Sequence, residues 1–275
     1  MRTPTWEKAL RYTLMLAVLA LTVGPFLWQL STSFKGTTED IYTTPPRLVP
    51  RHPTAHNYAE VADIIPVWDY ALNSLKVALA SVVTNVTGAS LAGYALARLR
   101  FAGRRAATLV FVAALLVPVE SVVVAQFTLM RQLHLNNTLT AVVLPGSIGA
   151  LNVLLMRGAF AAVPRELEEA AVIDGATVWQ RFTRIGLPAV RGTLAVVAIF
   201  SFMGAWDDFL WPLIVLSDPR HFTLTVGLNF LHGTFTQNPR LVAAGTVIAV
   251  APLVVMFACL QRYFFRGVGE GAVKG

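Results

Sequence analysis

The stretch EAAVIDGATVWQRFTRIGLP, residues 169–188, is a polar segment that lies between long apolar runs. Its residue order predicts two short amphipathic helices. Pro164 suits the first helical position of one helix, and Gly175 can adopt the left-handed conformation that ends it. Thr177, with a glutamine three residues later, has the spacing of a capping box that starts the second helix, and Pro188 is expected to end it. Each helix has one apolar face, so we interpret the segment as a docking element for another protein rather than a plain solvated loop.

The composition is that of an integral membrane protein. Hydrophobic residues make up 55% and charged residues 13% of the 275 residues, and the mean hydropathy is +0.60. Six apolar runs are long enough, with their flanking residues, to cross a bilayer as helices. We therefore predict an all-α membrane protein with one transmembrane domain, residues 1–275, and a helical loop at 163–188. The predicted spans are residues 12–32, 70–97, 106–128, 138–158, 189–211 and 241–262.

The basic residues indicate how the predicted spans are oriented. Most of the 22 lysines and arginines flank alternate ends of the predicted helices. Those expected on the cytoplasmic side are Arg2, Lys8, Arg11, Arg98, Arg100, Arg104, Arg105, Arg157, Arg165, Arg181, Arg184, Arg191, Arg262, Arg266 and Lys274. By the positive-inside rule, both termini and the 163–188 loop are cytoplasmic. The net charge of +7 therefore reflects membrane topology, and no nucleic-acid partner is expected.

The 163–188 loop resembles the EAA loop of permease subunits in binding-protein-dependent ABC importers, where this loop meets the ATPase. The matching residues are Glu169, Ala170, Ala171, Asp174, Gly175, Ala176, Phe182, Ile185, Leu187 and Pro188. Residues 73–74, 93–104, 204–213 and 261–275 resemble further segments of the same family. Together they are similar to the smaller, six-span permease of maltose-type carbohydrate importers.

The resemblance implies a non-catalytic subunit of a larger assembly. Its expected partners are a homologous permease that forms a heterodimer with it, two cytosolic ABC ATPase subunits that carry ATP and Mg²⁺, an external solute-binding protein, and membrane lipid. The chain has no Gly-x-x-x-x-Gly-Lys-Ser/Thr segment, no metal-ligand spacing and no catalytic constellation. We therefore expect no enzyme activity, cofactor or metal on this chain. The expected solute is a sugar or oligosaccharide, with glycerol 3-phosphate as the alternative within the family.

Polar and ionisable groups within the predicted spans are candidates for lining the solute pathway. Glu120 lies about 22 Å from Arg105, in the outer half of the third span, if that helix is continuous. Aromatic rings beside acids, as at residues 206–211, suit sugars because rings cover C–H faces and carboxylates accept hydroxyl hydrogen bonds. An interfacial belt, or hydrogen bonding between helices, explains the same residues equally well. The pathway candidates are Asn73, Ser74, Glu120, Trp206, Asp207, Asp208 and Trp211.

The predicted outer loop at 217–240 and the C-terminal tail are candidates for contacts with partners. In permeases that the chain resembles, the corresponding loop reaches the solute-binding protein and the tail lies against the ATPase. The candidate loop residues are Asp218, Arg220, His221, His232 and Asn238. Residues 267–275 are glycine-rich, so simple flexibility is the alternative account of the tail.

A stand-alone secondary transporter is the competing class. Proteins of that class are expected to show inverted repeats and broken helices around an ion site at the middle of the membrane. Neither feature is apparent in the sequence, and the class offers no explanation for residues 169–188.

The orientation predicts which loops an impermeant thiol reagent reaches in sealed cells. In a Cys259→Ala background, single cysteines at Thr54 and Asn238 should be labelled from outside, whereas a cysteine at Arg104 should not. Labelling of all three after cell lysis is the control for reactivity. Labelling of Arg104→Cys in sealed cells would contradict the six-span topology.

Overall fold

The computed structural model describes residues 5–44, 47–231 and 238–272. Regular structure in these ranges is helical, apart from one isolated bridge between Lys35 and Pro53, so the all-α prediction is confirmed for them. The α-helices are α1 (Thr5–Ser33), α2 (His56–Ile64), α3 (Val67–Arg98), α4 (Arg104–Ala114), α5 (Val123–Gln132), α6 (Leu139–Val143), α7 (Ala150–Ala162), α8 (Arg165–Ile173), α9 (Val178–Arg181), α10 (Leu187–Ala189), α11 (Arg191–Asp207), α12 (Leu210–Val215), α13 (Leu224–Asn229) and α14 (Pro239–Ala272). Two 3₁₀ turns (Val119–Val122 and Pro219–His221) and one π turn (Phe182–Gly186) complete the regular structure.

The chain divides into two compact units. One comprises Met1–Trp68 with Gly227–Pro252, and the other comprises Asp69–Val226 with Leu253–Gly275. The second unit contains the 163–188 loop and all seven predicted pathway residues.

A buried lysine organises the first unit. The Lys35 ammonium donates to the carbonyl of Arg47 at 2.9 Å and lies 4.5 Å from the centre of the Trp28 ring. Asn57 in α2 donates to the carbonyls of Ser33 and Lys35 at 2.8 and 2.9 Å, which fixes α2 to the end of α1. Helix α2 lies within the segment that joins α1 to α3.

Three helices, α1, α3 and α14, are long and apolar enough to cross a membrane. Two further pairs qualify only when they are taken together: Arg104–Ala114 with Val119–Gln132, bent by 99°, and Val178–Ala189 with Arg191–Asp207, bent by 79°. The described residues therefore provide between three and five candidate spans, where the sequence analysis predicted six.

The interruptions correct two expectations. The third predicted span is not a continuous helix, because the chain leaves the helix after Ala114 and Pro118 is extended with ψ 131°. Proline lacks the amide hydrogen that a continuing helix needs and restricts the residue before it. The fourth span is interrupted between Val143 and Ala150, and the fifth at Asp208. The expectation that broken helices are absent was therefore wrong.

One buried amide satisfies the backbone groups that the fourth-span interruption exposes. Asn85 of α3 donates to the carbonyl of Gly146 at 2.8 Å and accepts from the amide of Gly149 at 2.8 Å. Asn152 donates to the same Asn85 oxygen at 2.9 Å and to the hydroxyl of Ser201 at 3.2 Å. Non-helical backbone at membrane depth is tolerated only when such partners are present. Asn85 and Asn152 thereby join α3, α7 and α11.

Small residues let α3 approach the segment that contains α7. A Cβ atom added at Gly93 would lie 2.6 Å from Cβ of Met156, and one at Gly88 would lie 2.6 Å from Cγ1 of Ile148. Ala89, between them, is fully buried. These small residues of α3 are thus used for packing within the chain.

Candidate coupling loop and polar cavity

Helix α8 ends where the sequence predicts, but it begins at Arg165, one residue after the predicted start at Pro164. Pro164 has an extended backbone (φ −55°, ψ 135°) and precedes the helix, so its expected first helical position was wrong. At the other end Gly175 has φ +79°, its amide donates to the carbonyl of Val172, and the amide of Ala176 donates to the carbonyl of Ala171. This pair of bonds with a left-handed residue is a Schellman ending, which confirms the role of Gly175.

The second helical segment begins with the predicted capping box. The amide of Gln180 donates to Thr177 Oγ1 at 3.2 Å, and the amide of Thr177 donates to Gln180 Oε1 at 2.8 Å. Pro188 does not end the helix, since α10 continues to Ala189. The π turn before α10 shifts the hydrogen-bond ladder, so the proline falls in the first turn of the next segment, where no amide hydrogen is required.

A buried carboxylate fixes α8 to the end of α3. Glu168 Oε1 lies 3.3 Å from Arg98 Nε, and its Oε2 lies 3.9 Å from Arg181 Nη1. The Tyr94 hydroxyl donates to Oε2 at 3.5 Å, and Arg98 Nη2 also donates to the carbonyl of Val163. Residues from α3, α8 and α9 therefore meet at one charge. Glu168 and Arg98 were not among the predicted site residues.

An aromatic cluster holds the π turn against the same helices. The Phe182 ring is buried, with its centre 5.1 Å from that of Tyr94, 6.2 Å from that of Phe160 and 5.4 Å from that of Trp179. Gly186 lets this contact form, because a Cβ atom there would lie 3.2 Å from the Phe160 ring. The ion pair and the cluster thus anchor both halves of the loop.

The loop presents an unpartnered apolar surface, which we call the docking face. Its exposed apolar residues are Leu167, Val172, Ile173, Val178 and Trp179. Ile173 is 86% exposed and Trp179 is 62% exposed, although both lie beside well-anchored neighbours. An ordered loop that leaves large apolar side chains uncovered is typical of a protein–protein contact.

The predicted loop residues divide between this surface and the anchor. Phe182 is buried, Ala171, Ala176, Ile185 and Leu187 are half-buried, and Glu169, Ala170, Asp174, Gly175 and Pro188 are exposed. The exposed positions are the ones that remain accessible to another protein.

A cavity of about 450 Å³ lies among the interrupted helices of the second unit, and we call it the polar cavity after the polar side chains that interrupt its mostly apolar lining. Its polar lining residues are Ser81, Asn85, Glu120, Gln126, Asn152, Ser201 and Asp208. Trp211 also lines the cavity, and its indole donates to the carbonyl of Ala141 at 3.0 Å, which fixes the ring. Three of the predicted pathway residues, Glu120, Asp208 and Trp211, therefore meet at this cavity.

Glu120 lines the cavity from a turn and not from a continuous membrane helix. It lies in the 3₁₀ turn Val119–Val122 that follows the break, so the continuous helix on which the estimate of its depth depended is not formed. Because the flanking helices are bent by 99°, multiplying the number of residues by the helical rise does not give the depth of Glu120.

The other four pathway candidates do not line this cavity. Asn73 donates to the carbonyls of Arg220 and Phe222 at 2.9 and 3.1 Å, and Ser74 Oγ accepts from the amide of Leu224 at 2.8 Å. These two residues tie α3 to the segment before α13. Trp206 is buried and stacked on Phe202, while Asp207 is exposed.

The candidate outer-loop residues include one ordered turn. Asp218 pairs with Arg220 at 2.6 Å, and the hydrogen bonds from Arg220 lower the pKa of the Asp218 carboxyl to about 2. Asn137, at φ +61°, accepts from the amides of Ser217 and Asp218 at 3.0 and 2.9 Å, and its oxygen lies 3.5 Å from His221 Nδ1. Sequence reasoning did not identify Asn137.

Two further partner-contact candidates fall near the described limits. Asn238 accepts from the amide of Arg240 at 3.1 Å at the start of α14, and His232 lies outside the described residues. The tail was a candidate for contact with the ATPase, with simple flexibility as the alternative. Its backbone is helical to Ala272 and residues 273–275 lie outside the described ranges, so the contact stays a prediction.

The anchor makes a prediction about stability. Glu168→Gln should lower the midpoint of thermal unfolding in detergent by roughly 5–10 °C, because Arg98 is left buried without its counter-charge at a cost of about 3 kcal/mol. Glu169→Gln is the matched control, since Glu169 is exposed and should change stability by less than about 0.5 kcal/mol. Equal midpoints for the two variants would show that the ion pair does not hold the loop.

Comparison with known proteins places the chain in a family. Residues 85–270 match the family described as "Binding-protein-dependent transport system inner membrane component". The chain is 38% identical over 208 residues to the arabinooligosaccharides transport system permease protein AraQ of Halalkalibacterium halodurans, covering 76% of this chain and 75% of AraQ. It is 33% identical over 255 residues to the diacetylchitobiose uptake system permease protein DasC of Streptomyces coelicolor, covering 92% of each.

The fold has a close match among solved structures. A chain of a bacterial ABC transporter involved in the import of the acidic polysaccharide alginate superposes with a TM-score of 0.79 and 22% sequence identity. The match covers 96% of this chain and 99% of that chain. At this identity the likeness concerns the fold alone. With the family match over residues 85–270, the chain belongs to the inner membrane components of binding-protein-dependent transport systems.

Proposed function

We propose that this chain is a permease subunit of an ATP-driven importer for a sugar or oligosaccharide, and that its 163–188 loop couples the ATPase to the membrane helices. The docking face is the observation that carries the coupling role. It exposes Ile173 and Trp179 on a loop that Glu168 and Phe182 anchor to α3 and α7. A partner that moves this surface therefore acts on the spans themselves.

The mechanism follows from how the loop is attached. ATP binding and hydrolysis would bring the ATPase subunits together and apart, and the docking face would follow them. The pair between Glu168 and Arg98 ties the loop to the last residue of α3, while Phe182 contacts both Tyr94 and Phe160. Two arrangements of the spans, inward-facing and outward-facing, would then be biased by the nucleotide state.

The lining of the polar cavity suits a neutral solute that is rich in hydroxyl groups. Its lining includes the carboxyl groups of Glu120 and Asp208 and no lysine, arginine or histidine among the described residues. Carboxyl and amide groups accept and donate hydrogen bonds to sugar hydroxyls, and Trp211 offers an aromatic face. The cavity lining offers an anionic solute no counter-charge, so the cavity favours a sugar over glycerol 3-phosphate. The names of AraQ and DasC, which refer to arabinooligosaccharides and diacetylchitobiose, agree with this choice.

The surrounding assembly is part of the same proposal. We infer six spans with both termini and the 163–188 loop in the cytoplasm, a homologous permease as heterodimer partner, and two ATPase subunits that hold ATP and Mg²⁺. An external solute-binding protein would meet the 217–240 loop, where Asn137 supports the turn at Asp218 and Arg220. The permease would contribute the pathway and no catalysis of its own.

The docking face predicts a defined effect on assembly. Trp179→Ala and Ile173→Asp should each weaken the binding of the ATPase subunits at least about tenfold, because central apolar contacts of an interface are worth 1.4 kcal/mol or more. The measurement is the amount of ATPase that co-purifies with the tagged permease over a dilution series.

Val49→Asp is the matched control for this experiment. Val49 is 79% exposed in the predicted outer loop, so the same change of an exposed apolar residue to an acid should leave ATPase binding unchanged. Normal recovery of the ATPase with both Trp179→Ala and Ile173→Asp would rule out the docking face as its contact surface.

A further inference from the structure

A second cavity, of about 1000 Å³, is lined by the turn between α3 and α4, by the start of α4 and by one residue of α7. We call it the arginine pocket. Its lining residues are Arg100, Phe101, Gly103, Arg104, Arg105, Ala106, Thr108, Leu109 and Arg157. Four guanidinium groups line it, and none of the lining residues is acidic. The coupling loop does not use these arginines, since Glu168 pairs with Arg98 and Arg181.

The turn between α3 and α4 brings three of the arginines together. Gly103 has φ +85°, which L side chains rarely adopt, and it reverses the chain immediately before α4. Arg104 is fixed there, because its guanidinium donates to the carbonyls of Ala97 and Leu99 at 3.1 and 3.3 Å. Arg100 and Arg105 lie on either side of this fixed point. The tight turn therefore concentrates positive charge at one end of α3.

The charge of the pocket is not neutralised within the described chain. No ion pair or side-chain hydrogen bond involves Arg100, Arg105 or Arg157 in the ranges 5–44, 47–231 and 238–272. Arg157 comes from α7 and is half-buried, and its Nε atom is inaccessible and has no hydrogen-bond partner. Withdrawing a guanidinium donor from water without a partner is costly. An anionic ligand at this position would remove that cost.

The rim of the pocket is apolar. Leu109 is 66% exposed and Phe101 is 46% exposed, and both line the same cavity as the arginines. A free inorganic anion gains nothing from such a rim, whereas the acyl chains of a lipid pack against it. Guanidinium groups bind phosphate oxygens through paired hydrogen bonds. The guanidinium groups together with the apolar rim suit a ligand that carries a phosphate group on a hydrocarbon chain.

We propose that the arginine pocket binds the phosphate of an anionic phospholipid, with the acyl chains along Phe101 and Leu109. The proposal rests on the topology inferred above, which places this end of α3 at the cytoplasmic leaflet. Basic pockets between membrane helices on that side are suited to anionic headgroups. A lipid held there would join α3, α4 and α7 at the end of α3 that also carries Arg98.

The test measures lipid selectivity of the assembled importer in mixed vesicles of phosphatidylglycerol and phosphatidylcholine, without ATP or solute. Spin-labelled phosphatidylglycerol and spin-labelled phosphatidylcholine report the fraction of each lipid immobilised by the protein. The expected result is a several-fold preference for phosphatidylglycerol, which Arg105→Gln with Arg157→Gln reduces about fivefold or more. Lys8→Gln with Arg131→Gln is the control, because it removes two exposed charges outside the pocket and should retain the preference.

A competition experiment on the unaltered protein separates the two sources of phosphate. Inorganic phosphate at millimolar concentration should not displace spin-labelled phosphatidylglycerol, because it cannot use the apolar rim. Displacement by phosphate would overturn the lipid assignment in favour of a free-anion site. Absence of any phosphatidylglycerol preference, or its full retention in the Arg105/Arg157 variant, would overturn the site altogether. These outcomes do not depend on transport, so they stand apart from a failure of the proposed coupling.

Discussion

The arrangement of the helical loop depends on the carboxylate of Glu168. Helix α8 buries little else, since its apolar residues Leu167, Val172 and Ile173 face outward. The side chain of Arg98 is 7% exposed and that of Glu168 is 11% exposed, so water could not solvate either charge well if its partner were removed. Removing one member of such a pair typically costs 3–5 kcal/mol because the other charge stays buried. The loop can therefore expose an apolar surface to another protein and still hold a fixed position on α3.

The interrupted spans and the polar cavity have a common physical cause. Breaking a membrane helix frees backbone amides and carbonyls, which must find partners in the protein or in water. Asn85 supplies partners at the fourth-span break, and Thr225 donates to the carbonyl of Asp208 at 2.7 Å at the fifth. Asn85 and Asp208 also line the cavity. Broken helices consequently do not distinguish an importer permease from a secondary transporter, and the anchored loop is the better criterion.

Short-range sequence patterns predicted the helix end and the capping box in the loop. They did not predict the ion pair between residues far apart in the sequence. Gly175 and Thr177 act through neighbours a few residues away, so their spacing alone gave the helix end and the capping box. Glu168 lies 70 positions from its partner Arg98, and no spacing rule connects them. A buried charge has no signature of its own in a single sequence, and Glu168 follows Glu166 in an acidic first helical turn.

For the pathway candidates too, the sequence predicted some features of the structure and not others. Composition singled out Glu120, Asp208 and Trp211, which line one cavity, and their place in the solute pathway stays a prediction. It could not separate them from Asn73 and Ser74, which instead hold the backbone before α13. The depth of Glu120 was also beyond reach, because Pro118 predicts an interruption of the helix but not the 99° angle between the two helices that flank it.

The central claim is that the Glu168 anchor transmits motion of the ATPase to the spans. Its most direct test is the number of solute molecules transported per ATP hydrolysed by the reconstituted importer carrying Glu168→Gln, measured below the unfolding temperature of the variant. The account predicts that the ATPase remains bound through the docking face and hydrolyses ATP, while transport per ATP falls at least about tenfold, as expected when 1.4 kcal/mol of coupling is lost. An unchanged ratio of transport to hydrolysis would contradict it.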